Sequence, residues 1–232
     1  SFGPLLGVLL GWALLRCRKL SRERAHRTLL IFIVPLLLLV SAQALTGRAN
    51  GNWAAPIFVA SCLLVPAVFL ADKRRWVVAG VVVNLVASLA AYHWPDIARV
   101  AGIELTAKND PYKRARGWIN LADGVAPLLA EHPGTILVGE DREIIAHLVY
   151  RLHPAEYAAW NPGRPPRDHY EIVTTLADKR GRDVIYVGRQ AAIPAIAERF
   201  ASSELLGKVV VPIHKDFRRE VYVFLLKDFK GY

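Results

Sequence analysis

The chain has 232 residues, 30 Lys+Arg against 20 Asp+Glu for a formal net charge of +10, and 53% hydrophobic residues at a mean hydropathy of +0.26. Hydrophobicity at that level excludes a disordered chain, and two cysteines are too few for a disulfide framework or a cysteine zinc site. The sequence has no Met and starts Ser1-Phe2-Gly3-Pro4 inside an apolar run with no charged leader; the expectation is an internal or C-terminal piece of a longer protein, not a signal peptide followed by a mature domain.

The charge is unevenly placed. Residues 1–93 hold 10 Lys+Arg and 2 Asp+Glu, a net of +8, whereas residues 94–232 hold 20 and 18, a net of +2. Within the first half the basic residues fall in two clusters, Arg16 to Arg27 and Lys73 to Arg75, and the stretches 2–15, 28–45, 54–71 and 76–92 are nearly uncharged. A helix crossing the hydrocarbon core needs roughly 20 apolar residues, with a lower limit of about 17. The last three stretches therefore read as membrane spans and the first as the end of one. Pro35, Pro56 and Pro66 fit membrane helices, where neighbouring groups re-satisfy the backbone. The alternative, a soluble bundle of buried helices, would be left without a polar exterior. Lys and Arg stay on the cytoplasmic side of short loops, so both basic clusters are expected inside and residues 46–53 outside. The fourth helix then emerges on the outer face. The expectation is a multi-pass protein of the inner (plasma) membrane with residues 111–232 as a periplasmic domain and 94–110 as a linker. Cys17 and Cys62 are expected as free thiols.

Beyond Pro95 the pattern becomes that of a soluble α/β domain. An amphipathic helix is expected at 111–132, then a strand at 135–138, a helix at 141–152 and a strand at 156–160. A Pro-rich loop at 161–167 precedes a helix at 169–179, a strand at 183–187 and a helix at 191–201. Strands at 208–212 and 220–226 close the chain as a hairpin through 214–219. Strands separated by helices imply a parallel or mixed sheet with helices on its faces, so the expected fold class is α-helical membrane spans followed by a small α/β domain with a mixed sheet.

No GxGxxG, Walker A or HExxH pattern occurs and the seven histidines are scattered, so neither metal nor nucleotide cofactor has support in the sequence. Most of the basic excess fixes helix orientation, which removes the case for nucleic acid as partner. Glu140, Asp141 and Glu143 stand at a helix start, where capping and the helix dipole explain them. His147 and His153 are expected on the surface and at the end of that helix. Asn84, the main polar residue of the last span, reads as a helix–helix hydrogen bond.

The most informative stretch is Gln43-Ala44-Leu45-Thr46-Gly47-Arg48-Ala49-Asn50-Gly51-Asn52-Trp53-Ala54-Ala55-Pro56. An outer turn of this kind offers one guanidinium, two carboxamides and an indole at the water–lipid boundary. Arg48 can bind a phosphate through two parallel hydrogen bonds, Asn50 and Asn52 can orient phosphate or sugar hydroxyls, and Trp53 can stack on a sugar. A plain turn with an interface anchor is the alternative. Arg48 to Pro56 resembles the late membrane turn of bacterial glycosyltransferase family 39 proteins, relatives of the dolichyl-phosphate-mannose protein mannosyltransferases. Asp110-Pro111-Tyr112-Lys113-Arg114-Ala115-Arg116-Gly117-Trp118 is similar to the opening of that family's C-terminal domain. Ala146-His147-Leu148-Val149-Tyr150-Arg151-Leu152, Trp160-Asn161-Pro162-Gly163-Arg164 and His169-Tyr170 resemble its later segments. Relatives more often carry Gln-Tyr at the last place, so no hydrogen-bonding role passes to His169.

The resemblance implies a GT-C type membrane glycosyltransferase, mannosyltransferase-like, that moves a sugar from a polyprenyl-phosphate carrier to an envelope acceptor. Its partners are then the polyprenyl-phosphate-linked sugar and membrane lipids. The family's acidic catalytic residue lies in an early outer loop that no segment of this chain matches. No catalytic residue is assigned, and the chain alone is expected to be inactive. Arg48, Asn50, Asn52 and Trp53 are the first candidates for binding the lipid phosphate. Arg114 and Arg116 are second, with contact to phospholipid headgroups as their alternative role. A rival reading is a non-catalytic, membrane-anchored periplasmic domain that binds glycans or a partner protein.

Overall fold

The computed structural model describes residues 3–47 and 51–232, with 51 and 52 described by backbone alone. It divides into two compact units, Ser1–Ala101 and Gly102–Tyr232.

The first unit is helical: α1 (Pro4–Leu15), α2 (Cys17–Leu20), α3 (Arg24–Thr46), a 3-10 turn at Gly51–Ala54, α4 (Ala55–Tyr92) and α5 (Trp94–Val100). Pro4 opens α1 at a position where the missing N–H has no intrahelical partner to lose. Both α3 and α4 are long and apolar enough to cross a membrane, by length and composition. Their inward residues, among them Leu30, Ile33, Ile57, Leu64 and Phe69, pack with Leu9 of α1. The opposite faces are apolar too: Phe32, Leu38 and Leu39 of α3 and Val59, Leu63 and Leu89 of α4 are exposed. Gly80 lets α1 approach closely, since a Cβ there would lie 2.6 Å from Cδ2 of Leu6. Residues 54–71 and 76–92, expected as separate helices around a basic turn, are two helices that meet at a kink within α4, where Lys73 leaves helical geometry (φ −131°, ψ 32°). The break falls on the charged run 72–75, and the Lys73 ammonium sits 4.5 Å from the Trp12 ring centroid. Residues 94–110, expected as a linker, include α5. Both cysteines are free.

The second unit contains α6 (Trp118–Ala130), β1 (Ile136–Gly139), α7 (Arg142–Leu152), β2 (Tyr157–Ala159), α8 (His169–Val173), β3 (Val184–Gly188), α9 (Pro194–Ala197), β4 (Phe200–His214) and β5 (Phe217–Phe229). The five strands form one mixed sheet in the order β2-β1-β3-β5-β4, with β2, β1 and β3 parallel and β5 antiparallel to both β3 and β4. This is the mixed sheet expected from the alternation of strands and helices. Strand residues alternate between two cores. Leu137, Ile185, Val187 and Val223 face α6 and α7 on one side; Ile136, Val184, Leu226 and Phe229 meet Trp160, Leu176 and Ile196 on the other.

Three helices are shorter than the periodicity suggested. The first starts only at Trp118, because Gly117 caps it in the left-handed region (φ 78°). α8 ends at Val173, where Thr174 turns extended and donates its hydroxyl back to the Tyr170 carbonyl. Residues 191–201, expected as a helix, yield only α9, because Phe200 and Ala201 already belong to β4. The hairpin strands run longer than 208–212 and 220–226, pairing from Phe200↔Phe229 to His214↔Phe217.

Asp141 caps α7 by accepting hydrogen bonds from the Glu143 and Ile144 N–H groups at 2.8 and 3.4 Å, the role expected of it. It also accepts from Arg189 Nε at 2.7 Å. Asp141→Ala is expected to cost the second unit about 1 kcal/mol, the usual value of an N-cap, with chemical denaturation as the check.

Candidate functional site

Of the residues expected at the first site, Arg48 and Asn50 lie outside the described residues. Asn52 belongs to the 3-10 turn Gly51–Ala54, and Trp53 in the same turn is half exposed. Arg114 and Arg116 belong to the second unit, where the structure surrounds them in full.

The segment leading into α6 is held by a buried ion cluster. Asp110, 2% exposed, accepts from Arg116 Nε at 2.7 Å and from the Tyr112 N–H at 2.8 Å, and its Oδ2 lies 2.8 Å from Nε2 of His214. Desolvation alone would raise this carboxyl, but the hydrogen bonds of His214, Tyr112 and Arg116, with the Arg116 charge, outweigh it and hold the pKa below the ordinary carboxylate value. Arg219, also buried, donates to the carbonyls of Arg116 at 2.6 Å and of Arg114 and Lys113. Its guanidinium carbon sits 3.8 Å from the Trp118 ring centroid. The Trp118 indole N–H donates to the Arg114 carbonyl at 2.8 Å, and His147 stacks on the same indole at 4.2 Å with 13° between the planes. Burial first, then the Arg219 charge, pushes the His147 pKa down against the pull of Glu143, so the ring is neutral at neutral pH.

Beside this cluster runs a groove of about 740 Å³ lined by Arg116, Trp118, Asn120, His147, Tyr150 and Arg151. The Arg116 side chain is 38% exposed, lines the groove and spends only its Nε on Asp110, its terminal nitrogens making no hydrogen bond among the described residues. Arg114 is exposed and makes no ion pair among the described residues, its carbonyl alone being tied to Trp118 and Arg219. Chemically the arrangement can take an anionic oxygen on the guanidinia and a ring on the exposed Tyr150. Among the described residues no cluster of His, Cys, Asp and Glu could hold a metal ion.

Sequence reasoning named Arg114 and Arg116 as candidates but not the residues that hold their segment in place. His214 and Arg219 stand more than a hundred positions beyond the 110–116 segment and reach it only through the β4–β5 hairpin. The one available signal was the Asp110-Pro111 pair standing just ahead of the basic run.

No protein-family model matches the chain, and no solved structure does. It is similar to the lipid A galacturonosyltransferase RgtD of Rhizobium johnstonii, at 25% identity over 185 residues. The match takes in 78% of this chain and 38% of that protein, so the chain spans well under half the length of the curated relative it matches. Distant similarity to a lipid A galacturonosyltransferase thus joins a helical unit with two helices able to span a bilayer and an α/β unit with an arginine-flanked groove.

Proposed function

We propose that this chain is part of a membrane glycosyltransferase of the family 39, GT-C type, which moves a sugar from a polyprenyl-phosphate carrier to a glycolipid acceptor of the lipid A class. The observation that carries the reading is the extent of the similarity. An aligned length of 185 residues exceeds either unit, 101 or 131 residues long, so the likeness includes both the helical and the α/β part and does not rest on apolar helices alone. The uncovered apolar faces of α3 and α4 support it further, because side chains such as Phe32, Leu39 and Leu63 suit a lipid surround and not water. On this reading the enzyme lies in the inner membrane with several passes, and the second unit stands on the periplasmic face, as the basic clusters at 16–27 and 73–75 direct.

In the reaction the acceptor hydroxyl gives its proton to a general base of the complete enzyme and attacks the anomeric carbon, the bond to the carrier phosphate breaks, and that phosphate leaves with its negative charge. Arg48 holds the leaving phosphate, with Asn52 and Asn50 donating to its oxygens and Trp53 lying against the sugar or the lipid boundary. Arg114 and Arg116, fixed from behind by Asp110 and Arg219, bind phosphate groups of donor, acceptor or surrounding lipid. The test expresses the complete gene product in membranes and measures transfer of radiolabelled sugar from a polyprenyl-phosphate sugar to extracted lipid A. Incorporation of label from the lipid-linked donor is expected; incorporation only from a nucleotide sugar, or none in membranes that contain the protein, overturns the reading.

A further inference from the structure

The second unit has a topological switch. From β1 the chain passes through α7 to β2 on one side, and after β2 it returns to place β3 on the other side of β1, all three strands parallel. The connection from the carboxyl end of β1 runs toward β2 and the one from β3, through α9, runs the opposite way toward β4, which opens a crevice between them, the place where open α/β sheets bind their ligands. A cleft of about 560 Å³ occupies it, within the range of small-molecule sites.

Its walls come from the three segments that follow the parallel strands: Glu140 to Glu143 after β1, Arg167 and Asp168 after β2, and Gly188 to Gln190 ending β3. From the floor comes Tyr186, which is 3% exposed, lines the cleft, and makes no hydrogen bond through its hydroxyl among the described residues. Gly188 makes room for that phenol, because a Cβ there would stand 2.7 Å from Cε1 and 2.9 Å from the hydroxyl oxygen of Tyr186. Burial, then the charges of Glu140 and Asp141, push the phenol pKa up, so the group stays an O–H donor at neutral pH. The Tyr186 ring is buried while its hydroxyl, without a protein partner among the described residues, is open to the cleft, where a ligand's oxygen can take the place of water.

The charges say what kind of ligand. Carboxylates outnumber guanidinia on the walls by four (Glu140, Asp141, Glu143, Asp168) to three (Arg142, Arg167, Arg189). Two of those guanidinia are already committed: Arg189 donates to Asp141 at 2.7 Å and Glu143 at 3.3 Å, and Arg167 donates to Glu171 at 3.1 Å. Glu140 has only a 4.0 Å approach from Arg167, and Asp168 spends one oxygen on capping α8. The Arg189 pairs occupy Asp141 and Glu143 as well, and Arg142 makes no ion pair among the described residues, so the walls carry one carboxylate in excess: hydroxyl or ammonium donors find the free oxygens of Glu140 and Asp168, and a ligand oxygen finds the Tyr186 O–H. We propose that the switch-point cleft binds the pyranose ring of an uncharged or amino-substituted sugar, with Glu140 and Asp168 accepting from its donors and Tyr186 donating to one of its oxygens. The assignment goes beyond the transfer reaction proposed above and does not depend on it.

Saturation-transfer-difference NMR on the full chain in phosphatidylcholine nanodiscs tests the proposal, with D-galactose, D-glucosamine and D-galacturonate as probes. Galactose or glucosamine is expected to receive saturation at least threefold more strongly than the anionic galacturonate. Glu140→Gln with Tyr186→Phe, which keep side-chain shape, should lower that signal at least threefold while circular dichroism and the melting curve stay as in wild type. Lys227→Gln, an exposed position on β5 away from both clefts, should leave it unchanged. Absence of saturation transfer to all three sugars, a preference for galacturonate, or equal signal in wild type and the folded double variant overturns the assignment.

Discussion

Asp110→Ala is expected to lower the unfolding free energy of the Gly102–Tyr232 unit by about 3 kcal/mol, the low end for breaking a buried ion pair, because Arg116 is still partly hydrated. The carboxylate is fully buried and serves three donors, so its removal strands the Tyr112 N–H and the His214 ring and frees Arg116 from its only ion-pair partner among the described residues. Asp110→Asn keeps the shape and loses the charge, and a smaller cost of about 1–2 kcal/mol is expected. The pH dependence gives a separate check. A carboxyl held below its ordinary pKa contributes its full stabilisation above the unfolded value, about pH 4, and loses it as the pH falls through the lowered native value. The stability gap between wild type and Asp110→Asn should be constant near neutral pH and close as the pH falls below the ordinary carboxylate range. Urea titrations across that range measure it; a gap that widens in acid would show that Asp110 is not the stabilising anion.

Arg48→Ala in the complete gene product is expected to reduce sugar transfer about 100-fold at an unchanged level of protein in the membrane, the scale for removing one preorganised donor from a developing anion. Arg48→Lys should recover only part of the loss, because an ammonium carries the charge but cannot make two parallel hydrogen bonds to one phosphate. Transfer that survives Arg48→Ala would leave the phosphate to other residues. Arg114→Ala and Arg116→Ala are then the comparison, and a loss confined to those two would move the phosphate-binding role to the second unit.

Much of the fold was legible because local signals agreed with tertiary ones. The apolar run Ile136–Gly139 followed by Asp141 marks a strand, a turn and a capped helix, and all three stand where the residues put them. Legibility failed where a single backbone feature overrode periodicity. Gly117 delays α6. β4 was hardest to read: as an edge strand most of its residues are exposed, Ala201 to Glu204 among them, so its first half lacks the apolar alternation that marks a strand. At the site, the basic residues could be read from charge and motif alone. Their supports could not, since Asp110 and His214 are 104 positions apart and nothing local relates a carboxylate before a helix to an imidazole at a hairpin tip.

That separation also sets the order in which the unit can be completed. Asp216 at the hairpin turn receives the Ala107 N–H, His214 meets Asp110, and Arg219 closes on the carbonyls of Lys113, Arg114 and Arg116. All three latches are made by the hairpin to a segment synthesised about a hundred residues earlier. During translation, at roughly 5–20 residues per second, the 104–116 stretch therefore waits several seconds with its ionic partners not yet made. Contacts of such long sequence range also form slowly. The arginines beside the groove reach their final placement only when the hairpin has been added, so the β4–β5 ribbon works as the closing step of assembly as well as the edge of the sheet.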